Sequence, residues 1–192
     1  MRYVPTPYRF LANNSMQSGY SYNVPVIPTP FPHNFKPDFT PNEMLRLGVF
    51  GGAYLGDSIG EYPWDMVLGA KVAKEYDAQI NAFKVRSGES LEFWQEKGWI
   101  HPDDPRGWFE WYCRYWTGRR TEAEDFRQIS RWKNFGPRFQ TLLKKTGQGR
   151  PDVQRKTRQS LLHWGYDPLP DIVSAQSESV YEKVKRVLHG TK

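Results

Sequence analysis

The sequence predicts a mainly helical fold: a compact multi-helix domain over residues 40–192 that carries an extended, proline-rich arm over residues 1–39. Three observations carry that expectation. Helix start and stop signals recur from Thr40 onward with apolar residues at helical spacing between them, while period-two alternation is scarce. Aromatic residues make up 16% of the chain and include eight tryptophans, so few residues suffice to fill a compact core. Residues 1–39 instead hold prolines at 5, 7, 25, 28, 30, 32 and 37, which forbid helix and favour extended backbone.

The arm comes first. Between its prolines lies NNSMQSGYSYN, small, polar and without periodicity, yet its phenylalanines and tyrosines are too many for a free linker. Phe31, Phe35 and Phe39 are expected to be buried, against the helical domain or against another protein chain. The second option allows a protein partner or homo-oligomer held through residues 1–39. Because the first capped helix starts at Thr40, removing residues 1–36 is expected to leave the domain folded.

The helices follow in order. Thr40, Pro41 and Glu43 form a capping box, and Gly48 ends that short helix. The glycines at 48, 51, 52, 56 and 60 match neither a phosphate loop nor a dinucleotide fingerprint, so close backbone packing is their expected use and no cofactor is implied. Residues 64–76 read as helix, and Ser90 caps another that stops at Gly98. Asp104 and Pro105 open the aromatic stretch that Gly118 closes. Trp108, Phe109, Trp111, Tyr112, Tyr115 and Trp116 leave only a narrow polar strip on this helix, so it is expected to be the hub of the core. A second capping box, Thr121 with Glu124, opens a helix that Gly136-Pro137 is expected to break, with a further helix through Leu143. Phe126, Ile129, Trp132 and Phe135 fall on its inner side. Asp152–Trp164 and a C-terminal segment with Val180, Val184, Val187 and Leu188 at core spacing complete the set.

Charge is distributed unevenly. Residues 41–104 hold eleven acidic and six basic side chains, whereas residues 105–150 hold eleven basic and four acidic ones. A basic block of this kind points to a polyanion, nucleic acid above all, with a basic surface running from residue 119 to 158. Arginine's planar fork suits phosphate, so Arg119, Arg120, Arg127, Arg131, Arg138, Arg155 and Arg158 are the phosphate-binding candidates, with Lys144, Lys145, Arg150 and Lys156 extending the band. Glu110 and Arg114, four apart with the acid first, are expected to form a structural ion pair. Tyr115 or Trp132 would stack on bases if either reached the edge.

Other chemistry is weakly signalled. Asp125 lies toward the apolar side near a helix start and is the one candidate catalytic carboxylate, with structural pairing to Arg114 or Arg119 as the alternative. Asp57, Glu61 and Asp65 recur every four residues, but glycine and proline between them spoil a regular helix, so a magnesium or acid/base cluster is a faint possibility. His33, His101, His163 and His189 lack ligand spacing, and the lone Cys113 excludes an intrachain disulfide and a thiolate cluster, so no metal is expected. No run approaches the roughly 20 apolar residues of a membrane span, and the N-terminus lacks a secretory signal, so a cytoplasmic or nuclear location is expected.

The stretches GWIHPDDPRGWFEWYCRYWTGRR, EDFRQISRW and RKTRQSLLHWGYD, with LGVFGGAYL before them, resemble a family of small uncharacterised proteins of bacteria, fungi and plants. The resemblance covers roughly residues 40–167 and implies a fold-sized unit without an assigned activity. The functional expectation is therefore a nucleic-acid-binding protein, such as the DNA- or RNA-contacting unit of a modification or replication system. An enzyme acting on a nucleotide or nucleic-acid base, using Asp125 with Glu110 and Arg114, is the first alternative. A structural subunit gripping a larger assembly through its arm is the second.

Overall fold

The computed structural model describes residues 8–25, 30–32 and 34–190. It is helix-dominated as expected. Among the described residues the strands are β1 (Tyr8–Asn13) and β2 (Ser18–Val24), and the helices are α1 (Pro41–Arg46), α2 (Trp64–Val67), α3 (Leu91–Glu96), α4 (Trp108–Trp116), α5 (Glu122–Thr146), α6 (Arg155–His163) and α7 (Val180–His189). Two 3-10 turns, Val49–Gly52 and Gly56–Glu61, lie between α1 and α2.

Helix α4 is the hub. Seven of its nine residues run from Phe109 to Tyr115 with almost no exposure, and the polar strip of Glu110 and Arg114 is as buried as the aromatics. Its start differs from the expected one. Gly107, with φ at 92°, stands at the N-cap, and Asp104 spends its carboxylate on arginines instead. The capping box at Thr40 forms as read, as does the Ser90 cap on α3.

The described residues before Thr40 are built into the core of the helical domain instead of lying on its surface. Residues 8–24 fold into an antiparallel hairpin, with Phe10 opposite Tyr22, and Phe10, Ala12 and Val24 enter the core. Phe35 is fully buried, its ring 5.0–5.8 Å from those of Trp111, Tyr112, Tyr115 and Trp132. Phe39 is also buried, while Phe31 is half-buried against Tyr115 and Trp116. One core thus spans residue 40, and a cut after residue 36 removes the ring at its centre. The expected extended backbone at Pro5, Pro7 and Pro28, and His33, lie outside the described residues.

Helix α5 is the second correction. It continues through Gly136-Pro137 for twenty-five residues. Gly136 is there for packing: a Cβ on it would lie 2.1 Å from the Tyr166 ring, which stacks on Trp132 at 4.5 Å and donates its hydroxyl hydrogen to the Trp132 carbonyl. Pro137 sits on the exposed side of the helix, away from the core that Gly136 faces. The expected Thr121–Glu124 box does not form. Asp125 accepts the Thr121 N–H at 2.8 Å, and Glu124 turns to Arg127. Phe126 is 76% exposed rather than inward. The helix expected over 64–76 stops at Val67.

The glycine-rich turns behave as read. Gly48, with φ at 77°, lets the Ile80 carbonyl approach to 2.1 Å from where a Cβ would stand, and Gly51 is pressed against Tyr76. Between them Phe50 is left in the left-handed region at φ 57°, an uncommon conformation for a bulky residue.

Candidate functional site

The arginines of the basic block divide into two populations. Arg106, Arg114 and Arg119 are buried and alternate with Asp57, Glu110 and Asp104 in a charge-balanced chain beneath the hairpin. Arg114 pairs with Glu110 at 3.1 Å, as expected, and with Asp104 at 3.3 Å. Arg119 grips both oxygens of Asp104, at 2.6 and 2.8 Å. The hairpin closes the network from above. Gln17 accepts from Arg114 at 2.8 Å, and the Tyr20 ring lies 5.0 Å from the Arg114 guanidinium. Asp57 and Glu61 accept backbone N–H groups of Ser15 and Asn13, so the recurring carboxylates fasten the hairpin turn.

Two phosphate-binding candidates are thereby removed. Arg119 has its charge neutralised out of reach of solvent. Arg158 is fully buried and sends its donors to both oxygens of Asp171 and to the carbonyls of Gly147, Arg150, Val153 and Pro168, closing the end of α5 onto α6. Arg155 donates to the Phe83 and Lys84 carbonyls, and Arg120 lies 3.8 Å over the Tyr115 ring. Arg127 pairs with Glu124 at 2.6 Å; burial alone would raise the Glu124 pKa, but Arg127, together with Gln128 and His101, outweighs it and holds the carboxyl low.

Asp125 is likewise structural. It is 8% exposed and accepts from the Trp111 indole at 2.9 Å as well as from Thr121, while burial raises its pKa. It pairs with neither Arg114 nor Arg119 and borders none of the principal cavities. The enzyme reading loses its main residue. His101, Asp104 and Glu124 each bring one ligand-type atom within 4.8 Å of the others, but Asp104 and Glu124 are already committed to Arg119, Arg127 and Gln128.

The open arginines lie elsewhere. Arg131 and Arg138 form no ion pair among the described residues, and both line a cavity of about 530 Å³ bounded by α3, α4, α5 and α6. At 100° per residue Arg127, Arg131, Asn134, Arg138 and Lys145 fall on one stripe of α5, about 27 Å long at 1.5 Å per residue. The unbroken helix is what keeps Arg138 in register. Burial and the neighbouring Arg127 lower the Arg131 pKa, as befits a half-buried cation without a carboxylate. Its guanidinium lies 5.5 Å from the Trp164 ring.

The cavity walls are aromatic. Trp164 packs on Trp108 at 4.9 Å and stacks on Phe135 at 5.1 Å, and Phe135 meets Phe139 at 4.6 Å. Trp94, Trp99, Trp164, Phe135 and Phe139 are only partly buried, so ring surface remains available. His163 stacks on Phe50 at 4.2 Å, and its Nε2 accepts from the Phe50 N–H and from Gln159; burial drops its pKa to about 3. The ring is neutral with its proton on Nδ1. A second cavity of about 610 Å³ shares Phe50, Tyr54, Gly88, Glu89 and Trp94 with the first.

Arg131 and Arg138, marked in the sequence as candidates, line the cavity, whereas its aromatic walls carry no such mark. Trp94, Trp99, Trp164 and Phe139 carry no mark separating a ring half-exposed at a cavity from one in the core. Tyr115 and Trp132, the rings considered for stacking, are both buried. Compared with known proteins, the chain matches no family model, no curated sequence and no solved structure. Among the described residues no helix is long and apolar enough to cross a membrane.

Proposed function

We propose that the protein binds single-stranded nucleic acid, with one unstacked base in the aromatic cavity and the adjoining phosphates along the α5 stripe. The observation that carries this reading is the meeting, at one cavity, of partly exposed aromatic rings with Arg131 and Arg138, neither of which has a carboxylate partner among the described residues. Base-on-ring stacking contributes roughly 1–3 kcal/mol per base, and guanidinium forks hold phosphates bidentately. Exposed Lys133, Lys144, Lys145 and Lys156 supply further positive charge on α5 and α6. A duplex hides its bases inside the stack, so the cavity favours a strand or a loop over paired nucleic acid.

Fluorescence anisotropy of a labelled single-stranded oligonucleotide, repeated with its duplex over a salt series, tests the reading. The strand is expected to bind more tightly than the duplex, with log affinity falling linearly against log salt. Arg131→Ala is expected to weaken it. Affinity that is absent at low salt, indifferent to salt, or equal for strand and duplex would end the proposal.

A further inference from the structure

We infer that the base taken by the aromatic cavity is guanine, selected by the carboxylate of Glu89; this rests on the reading of the cavity given above. Glu89 lines the cavity and has neither an ion pair nor a hydrogen bond among the described residues. The carboxylates of Asp57, Asp104, Glu110 and Glu124 are, by contrast, committed to arginines.

The backbone on both sides of Glu89 is pinned. Ser87 donates to the Lys156 carbonyl at 2.9 Å and meets the Ser160 hydroxyl at 2.5 Å, tying the loop to α6. Gly88 turns the chain at φ 87°, a left-handed conformation that favours glycine, and Ser90 accepts the Phe93 N–H at 3.2 Å to start α3. The Glu89 side chain itself is exposed, and an ionised carboxylate is an acceptor only.

An ionised carboxylate pairs best with an edge that offers two adjacent N–H donors. Guanine has that edge, at N1–H and the 2-amino group. On their pairing edges adenine and cytosine each set a donor beside an acceptor, and uracil and thymine flank one donor with two acceptors. The rest of the cavity supplies donors for guanine's opposite edge, where O6 and N7 accept. Arg131 lines the cavity, and the His163 ring in its wall carries its proton on Nδ1, for which no hydrogen-bond partner stands among the described residues.

Titration of the full chain with GMP, IMP, AMP and UMP at one salt concentration, followed by tryptophan fluorescence, tests the inference. GMP is expected to bind at least about tenfold more tightly than AMP or UMP, with IMP, which lacks the 2-amino group, in between. Glu89→Gln should lower GMP affinity about tenfold, toward that of AMP, without changing the melting temperature, since Glu89 holds nothing in the fold. Oligothymidylate with one central guanine, compared with GMP, separates a strand ligand from a free nucleotide; a guanine preference in either supports the assignment. Equal binding of GMP and AMP, both weakened by Arg131→Ala, would overturn the guanine assignment while leaving the cavity reading intact. A guanine preference that survives Glu89→Gln would also overturn it. If no mononucleotide and no oligonucleotide binds, the assignment and the proposed function fall together.

Discussion

The network under the hairpin and the stripe on α5 draw on the same basic stretch of sequence and use it in opposite ways. Arg106, Arg114 and Arg119 are buried and matched one for one by Asp57, Glu110 and Asp104. Arg131 and Arg138 line a cavity and form no ion pair with a carboxylate among the described residues. Local density of arginine therefore does not mark a phosphate site. What separates the two populations is whether the acidic half of the chain folds back onto them. Asp57 and Asp104 belong to that acidic half, and the hairpin brings Gln17 and Tyr20 to finish the enclosure.

The difference is broken most strongly at Asp104. Asp104→Ala leaves Arg119 and one side of Arg114 buried without a counter-charge, and loss of one partner from a buried pair costs about 3–5 kcal/mol. Chemical denaturation of the variant should show a loss of that size. A loss below about 1 kcal/mol would mean that water or a neighbouring group serves these arginines as well as Asp104 does.

The register of the open stripe depends on Gly136. In an ordinary helix Gly→Ala gains about 1 kcal/mol. Here the new methyl group would collide with Tyr166, so Gly136→Ala is expected to destabilise by about 1–3 kcal/mol, read as a lowered denaturation midpoint. A gain in stability would show that Tyr166 moves aside freely and does not hold α5 in place.

His163 lies between the two regimes, in the cavity wall yet 5% exposed. Its pKa is about 3 in the fold against an ordinary 6.5, because burial disfavours the charged ring. The unfolded chain therefore takes up the proton first as the pH falls. The stability that neutral His163 contributes is complete above about pH 6.5 and is lost progressively as the pH falls toward 3. Between pH 7 and pH 5 the loss is about 2 kcal/mol, at 1.36 kcal/mol per unit. His163→Gln should flatten the stability profile in that window; an unchanged slope would assign it to other groups.

The sequence made α1, α4 and the Glu110–Arg114 pair legible because their signals are local. Capping at Thr40, aromatic density around Trp111 and four-residue spacing need no knowledge of distant partners. The misreadings that bear on the arm and the site are non-local. Pro137 reads as a helix breaker until Tyr166 and the core fix α5 on either side of it. Residues 8–24 read as an arm because a hairpin that packs Phe10 and Ala12 inward shows only brief alternation. Arg119 and Arg158 read as phosphate ligands because Asp104 and Asp171 lie 15 and 13 residues away. The cavity itself was illegible, since partial exposure of Trp94 or Trp164 is set by how α3 and α5 pack and not by the residues beside them.

The smallest expected change sharpens the comparison most. Arg138 is exposed and forms no ion pair or hydrogen bond among the described residues, and its guanidinium lies 5.7 Å from the Phe139 ring. Nothing in the fold depends on its charge, so Arg138→Ala should alter stability by no more than about 0.5 kcal/mol, the usual range for such surface positions. Arg131 packs over Trp164 and has a half-buried stem, so Arg131→Ala should lose somewhat more through packing, still far less than Asp104→Ala. Both substitutions should nevertheless act on binding. Each phosphate contact contributes close to one unit to the slope of log affinity against log salt, so each variant should reduce the magnitude of that slope by about one. The double variant should reduce it by about two, because the residues sit seven apart and serve different phosphates. A single arginine substitution that lowers affinity while leaving the salt slope unchanged would mean that the guanidinium stacks on a base instead of neutralising a phosphate. Arg138→Ala, with stability nearly untouched, is the cleaner of the two measurements.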